Sequence, residues 1–327
     1  MNQKFLDFMH EFAGCRIAVA VSGGVDSVTL LHWLHELGMD ITALHVNHGL
    51  RPNAGIEAAY VRDVCSALHV PCHIFTWDGD KPPTGIEAAA RAARYKLMTD
   101  FCVRAGIGYL FVAHQADDQI ETFLLNLARG SGVRGLAGMR AVTMRDGIQI
   151  VRPLLDVPRN ELVRYCDTHN IKYFHDEMND DPRYARVRMR QHRHVLRDML
   201  GVSDDRILLA MRNLRRVADS ADRAVDDAIA SVMNDGVAQF SDSFLFDLGP
   251  DIRLQFIAAL IMQIGGGDYP PRLKSLQGAL RNLSSDCKFT LGRCVIRRLG
   301  TRIIIAREGA RTSFRKKREH RHAKEEK

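Results

Sequence analysis

A run of small residues, Ser22, Gly23, Gly24, Val25, Asp26 and Ser27, lies between an apolar stretch at 17–21 and a helical one beginning at about 28. No other feature of the chain restricts its fold so strongly. Successive backbone N–H groups in such a run converge on an anion, and a helix opening directly behind them adds its positive end. Gly23 and Gly24 accept backbone angles that side chains resist and let a phosphate approach closely. Ser27 contributes a hydroxyl. Asp26 needs its own reason, because a carboxylate beside phosphates repels them unless a cation lies between. It is therefore read as a ligand of Mg²⁺ held on a pyrophosphate group.

The loop opens a regular alternation. Helical spacing follows at Val28, Leu31, Leu34 and Leu37 and closes at Gly38, a residue suited to ending a helix. Apolar runs at 41–46, 71–75, 109–113 and 148–152 predict further strands, with helices predicted over 55–68, 86–104 and 117–129. Strand–helix alternation with short connections predicts an α/β fold with a doubly wound parallel sheet. In such sheets ligands bind beyond the carboxyl ends of the strands. After Pro153 the pattern changes to a helix at 158–169, a polar acidic loop at 176–182 and a charged, mainly helical stretch from 183 to about 235. Phe289, Val295, Ile296, Ile303, Ile304 and Ile305 flank Gly300 and predict a closing β-hairpin. At 327 residues the chain exceeds what one core usually holds. The expected division is a catalytic domain at 1–200, a helical domain at 201–285, a short β element at 286–310 and a basic tail at 311–327.

Charge distribution bears on partners. Lys and Arg number 46 against 39 Asp and Glu. Arg183, Arg186, Arg188, Arg190, Arg193 and Arg197 fall in a stretch with no acid before Asp198, and the tail carries eight basic residues against three Glu. Such blocks point to a polyanionic partner. No apolar run approaches the roughly 20 residues of a membrane span, and the first 16 lack a signal-peptide core, so export and membrane insertion are not expected. Seven scattered cysteines without a Cys-x-x-Cys pair suit reduced thiols in a cytoplasmic protein. The absence of a lysine after the 22–27 loop excludes a Walker P-loop.

Three further strings follow predicted strands or lie on predicted helices. His45, Val46, Asn47, His48, Gly49, Leu50 and Arg51 trail the second strand and offer imidazoles, an amide and a guanidinium to the crevice. Arg91 and Arg94 share a helix face among alanines, placed for a two-pronged grip on phosphate. His114, Asp118 and Glu121 follow the fourth strand, the two carboxylates on one helical face. Carboxylates near phosphates need cations, and either Mg²⁺ or the ammonium group of a substrate meets that need; such a carboxylate also takes a proton from an attacking amine. Asp117 reads instead as an acid favourable to the helix dipole. Four glycines in residues 130–138 predict an irregular connection.

Residues 22–27 resemble the pyrophosphatase-type loop of the adenine-nucleotide α-hydrolase, or PP-loop ATPase, superfamily, whose members cleave ATP between the α- and β-phosphates to adenylate an acceptor. The loop alone leaves NAD synthetases, GMP synthetases, tRNA thiolases and lysidine synthetases open. The strings at 45–51, 87–95, 114–122, 129–139 and 152–155, together with Asn179, Tyr184, Arg186, Arg188 and Arg190, resemble tRNA(Ile)-lysidine synthetases; Val187 stands where that family usually has Asn. The resemblance implies an ATP-dependent ligase joining free L-lysine to C2 of the wobble cytidine in CAU-anticodon tRNA(Ile). ATP would lie on Ser22, Gly23, Gly24, Val25, Asp26, Ser27 and Arg94, with Mg²⁺ at Asp26. His114, Asp118 and Glu121 would receive lysine and handle its proton, and Arg186, Arg188 and Arg190 would hold tRNA. The alternative is a tRNA thiolase of the 2-thiocytidine type, whose paired cysteines this chain lacks. A homodimer is left open.

Overall fold

The structure, a computed structural model, describes residues 1–49, 54–79, 81–82, 84–174, 185–267 and 270–309, with backbone only for Ala54, Glu87, Arg186, His194, Leu196 and Arg197. Leu50, Arg51, Asn179, Tyr184, Arg183, the acidic loop and the basic tail lie outside the described residues. The chain forms two compact units, Met1–Arg215 and Arg216–Lys327.

In chain order the first unit contains α1 (Gln3–Met9), β1 (Arg16–Ala20), α2 (Val25–Glu36), β2 (Asp40–Asn47), α3 (Ala54–Ala67), β3 (Cys72–Thr76), α4 (Ile86–Ala105) and β4 (Tyr109–Phe111). It continues with α5 (Ala116–Ala128), α6 (Val133–Leu136), β5 (Val142–Arg145), β6 (Ile148–Val151), α7 (Arg159–Thr168), α8 (Ala185–Leu200) and the start of α9 (Asp204–Val232). The six strands stand in the order β3-β2-β1-β4-β6-β5. All neighbours run parallel except β5, which pairs antiparallel with β6 at the edge. This is the doubly wound sheet predicted from the alternation, with its order reversing between β1 and β4. Ile17, Ala18 and Val19 are fully buried because helices cover both sheet faces, which explains the unbroken apolar run. One core lies between the sheet and α2, α3 and α7, and the other lies beneath α4.

Two local departures have clear causes. β5 escapes the sequence reading because its residues are half-buried or exposed and carry no unbroken apolar run. The glycine-rich 130–138 segment contains the single turn α6 and is held in place. Gln119 donates to the Met139 carbonyl (2.9 Å) and accepts from the Met139 N–H (2.7 Å), while Asn126 donates to the Gly135 carbonyl (2.8 Å). The same segment gives Gly138 a φ of +70°, in the region glycine prefers.

The second unit continues α9 and adds β7 (Met233–Asn234), β8 (Val237–Ser241), α10 (Asp242–Asp247), α11 (Pro250–Gly265), α12 (Leu273–Asn282), β9 (Cys287–Leu291), β10 (Cys294–Leu299) and β11 (Arg302–Arg307). The hairpin expected around Gly300 is the β10–β11 pair, within an antiparallel sheet of order β7-β8-β11-β10-β9. Phe256, Ile257 and Leu260 of α11 share a core with Ile296, Ile303 and Ile305, so the helical stretch and the closing strands fold around the same apolar centre. A β-carbon on Gly265 would meet the Gly292 carbonyl oxygen at 2.1 Å, so only glycine lets α11 approach that turn. No described helix is long and apolar enough to cross a membrane.

Candidate active site

A crevice of about 350 Å³ opens at the carboxyl ends of β1, β2 and β4, where the order of a doubly wound sheet reverses. Its walls include Ser22, Gly24, Val25, Asp26, Ser27, Arg94, His114, Asp118 and Arg190. Residues from four separate predicted strings therefore face one space.

The loop is set by its own hydrogen bonds. Ser27 Oγ donates to the Gly24 carbonyl (3.0 Å) and accepts from the Ser22 N–H (3.1 Å). Its single proton being used, the 3.1 Å contact between the two hydroxyls has Ser22 as donor. Gly23 takes φ +90°, and its carbonyl accepts from the Phe174 N–H at 2.9 Å. Gly24 caps α2, so the helix's first amides open onto the loop. Below it, buried His45 donates from Nδ1 to the Val21 carbonyl at 2.8 Å. Burial lowers the His45 pKa, keeping the ring neutral while it props the strand end.

Asp26 projects from the first turn of α2. Burial pushes its carboxyl up to about 7 against the pull of Arg159, whose Nε lies 3.8 Å from Oδ1, and Asp118 adds to the rise. Asp118 accepts the Gln115 N–H at 3.1 Å while Gln115 accepts from the Asp117 N–H at 2.5 Å, forming a reciprocal cap on α5. One carboxylate thus caps a helix and faces the crevice. Asp117 is engaged elsewhere, pairing with Arg193 at 2.5 Å and accepting the Arg159 N–H at 3.0 Å, so it ties α5 to α7 and α8.

Glu121 lies one turn on, behind the crevice wall and fully buried, with Arg190 Nε 2.7 Å from its Oε1. Arg190 is thereby brought into the crevice, while Arg188 is exposed on α8 and the Arg186 side chain lies outside the described residues. His114 Nε2 accepts from Arg91 at 3.4 Å, which leaves the ring proton on Nδ1. Arg94 loses proton affinity through burial and pairs with no carboxylate among the described residues. Arg159, Glu57, Tyr173 and Phe174 also line the space. Sequence reading misses them because each arrives through tertiary packing, without a local motif.

An amide loop at the reversal point of a parallel sheet, faced by a half-buried guanidinium and by acids, defines a PP-loop nucleotide-using enzyme. The PP-loop domain family matches residues 1–196, and this family uses ATP. Among solved structures, the U34-tRNA thiolase NcsA from Methanococcus maripaludis shares the fold with a TM-score of 0.54, covering 65% of this chain and 78% of that one at 16% identity. Curated proteins named tRNA(Ile)-lysidine synthase lie much nearer in sequence. That of Wolbachia pipientis is 36% identical over 92% of this chain and 72% of its own length; that of Rhodopseudomonas palustris is 34% identical over 88% and 89%. That of Ruegeria pomeroyi is 35% identical over 90% and 71%. The chain belongs to the tRNA(Ile)-lysidine synthase family. The thiolase alternative is supported only by shared fold.

Proposed function

We propose that this crevice joins free L-lysine to C2 of the wobble cytidine in CAU-anticodon tRNA(Ile), in two steps driven by ATP. The supporting observation is the meeting of the 22–27 loop with Asp118 and Arg190 across one cavity, in a chain of this family.

In the first step the O2 atom of the cytidine attacks the α-phosphate and pyrophosphate departs. Adenylation is needed because a ring carbonyl oxygen is a very poor leaving group. The loop amides and the start of α2 hold the phosphates, and Arg94 supplies a desolvated cation to the group that gains charge. Asp26 suits a divalent cation: its Oδ1 is shielded from solvent and accepts no hydrogen bond among the described residues, and its carboxyl is held near 7 by burial. Mg²⁺ bound there with ATP would neutralise phosphate charge, and the phosphates would supply its remaining ligands.

In the second step the lysine amine attacks C2 and AMP leaves, the nitrogen giving up a proton. His114 and Asp118, which line the crevice, receive the lysine and handle that proton, while Glu121 acts from behind the wall by holding Arg190 in place. The cap on α5 holds Asp118 in one orientation beside the phosphate loop, so the acid is positioned before the amine arrives. Arg186 and Arg188 on α8, together with Arg190, contact the tRNA backbone.

The order of steps is testable by single turnover with ATP and tRNA but no lysine. Stoichiometric pyrophosphate release, followed by AMP release on adding lysine, is expected. Pyrophosphate release that requires lysine and proceeds without tRNA would instead indicate a lysyl-adenylate and overturn the scheme.

A further inference from the structure

Tyr95 lies on α4 beside Arg94 and is only 2% exposed. Three guanidiniums surround its ring, with Arg145 at 4.4 Å, Arg91 at 5.3 Å and Arg94 at 5.6 Å from the centroid. Arg152 closes the group from the end of β6, donating to the Arg140 carbonyl at 2.9 Å and to Thr143 Oγ1 at 3.0 Å. Burial lowers the proton affinity of Arg94 and Arg152, and the nearby charge of Arg91 lowers it further. Against these four cations, one carboxylate pairs among the described residues: Asp146, 3.7 Å from Arg145 Nε and also bonded to Thr99 Oγ1 at 3.2 Å. Cation–π contact offsets part of the repulsion between like charges. Among the described residues the arrangement carries an excess of positive charge that an anion would satisfy.

The position of the cluster narrows the choice of anion. Arg91 reaches His114 at 3.4 Å, so the cluster begins at the crevice. It extends to the edge hairpin β5–β6, where 40% of the Arg145 side chain is exposed. Arg145 belongs to none of the strings that resemble the family, and it lines no part of the crevice. A nucleotide in the crevice would account for Arg94 but not for Arg145, whose anion is then Asp146 alone among the described residues. A strand whose base enters the crevice must carry further phosphodiesters past its rim.

We infer that Arg91 and Arg145, held over the Tyr95 ring, form a phosphodiester-binding position for the RNA strand that delivers its base to the crevice. The inference rests on the reading of the substrate as tRNA. The planar guanidinium suits both tasks, since one face stacks on the ring while its edge donors meet phosphate oxygens. Asp146 then acts as the resident counter-ion that RNA displaces from Arg145.

The test compares Arg145→Ala and Arg145→Lys with the unaltered full chain, measuring affinity for a CAU-anticodon tRNA(Ile) transcript across a salt series, and ATP affinity separately. Arg145→Ala should bind tRNA about fivefold more weakly and reduce the steepness of the log–log salt dependence by roughly one, with ATP affinity unchanged. Arg145→Lys should keep the slope and recover only part of the affinity, because a lysine charge cannot stack as guanidinium does. If both variants match the unaltered protein in affinity and slope, the cluster is purely structural and the inference fails. If the unaltered protein itself shows no salt-sensitive tRNA binding, the tRNA reading fails with it. Thermal unfolding of each variant distinguishes lost contact from lost fold.

Discussion

Arg190 reaches from α8 to place Nε 2.7 Å from Oε1 of Glu121 on α5, joining a half-exposed guanidinium to a carboxylate with no solvent exposure. A carboxylate buried to that degree depends on its partner. Arg190→Ala should therefore lower the free energy of unfolding by about 1–3 kcal/mol, the range for a buried polar group losing a hydrogen bond. Glu121→Gln, which keeps the shape and an acceptor, should cost less. Urea unfolding with unchanged denaturant dependence checks the order; equal stability of all three proteins would mean the pair contributes nothing to stability.

Asp26 links the site to pH. Its folded carboxyl is raised from 3.8 to about 7, mainly by burial. Between those values the folded chain holds a proton that the unfolded chain has lost, so stability falls as pH rises through the window and levels off above it. Asp26→Asn removes this dependence. At pH 8 the ligand-free variant should be more stable than the parent by roughly 1–3 kcal/mol, with the gap closing toward pH 4, while ATP-dependent activity is lost. A parent whose stability is flat from pH 4 to about 8 would show that Asp26 titrates normally.

Arg94 presents the complementary case, a desolvated cation without a carboxylate partner among the described residues. Replacing such a group with an apolar one of similar length leaves stability unchanged or higher. Arg94→Met should unfold no earlier than the parent yet bind ATP at least about tenfold more weakly, reflecting a lost charge-assisted contact. Calorimetric titration with ATP checks the second half. Unaltered ATP affinity would remove Arg94 from the nucleotide site.

Asp118 both caps α5 and faces the crevice, so its charge has to be separated from its hydrogen bond. Asp118→Asn keeps an acceptor for the Gln115 N–H and removes only the charge. Adenylation of tRNA should survive in this variant while lysine transfer falls by about a hundredfold, the scale of a lost proton-handling group. Equal losses in both steps would refute the division of labour.

The parallel sheet was readable because burial on both faces writes strands as continuous apolar runs, as in Ile17, Ala18 and Val19. The edge strand β5 is half-exposed and left no such trace. In the second unit the helical stretch and the closing hairpin were readable but the rest of its sheet was not, since β7 has two residues and β8 lies apart from the strands it joins. The crevice followed from one rule, that residues just past parallel strands face the ligand, which drew Ser22, Asp26, His114 and Asp118 together. Arg159 and the 173–174 segment obey no such rule. They reach the crevice through the fold, Phe174 by a backbone bond to Gly23 and Arg159 through the turn that starts α7. Tyr95 stands in the sequence only as the last residue of the 87–95 string, because its arginine partner at 4.4 Å comes from a strand that carries no apolar run.

The most direct measurement incubates the full chain with ATP, a CAU-anticodon tRNA(Ile) transcript and each radiolabelled amino acid in turn. Label should enter the RNA with lysine alone, require ATP, and map to the wobble cytidine. Label from another amino acid, or none from lysine while pyrophosphate is still released, would contradict the account.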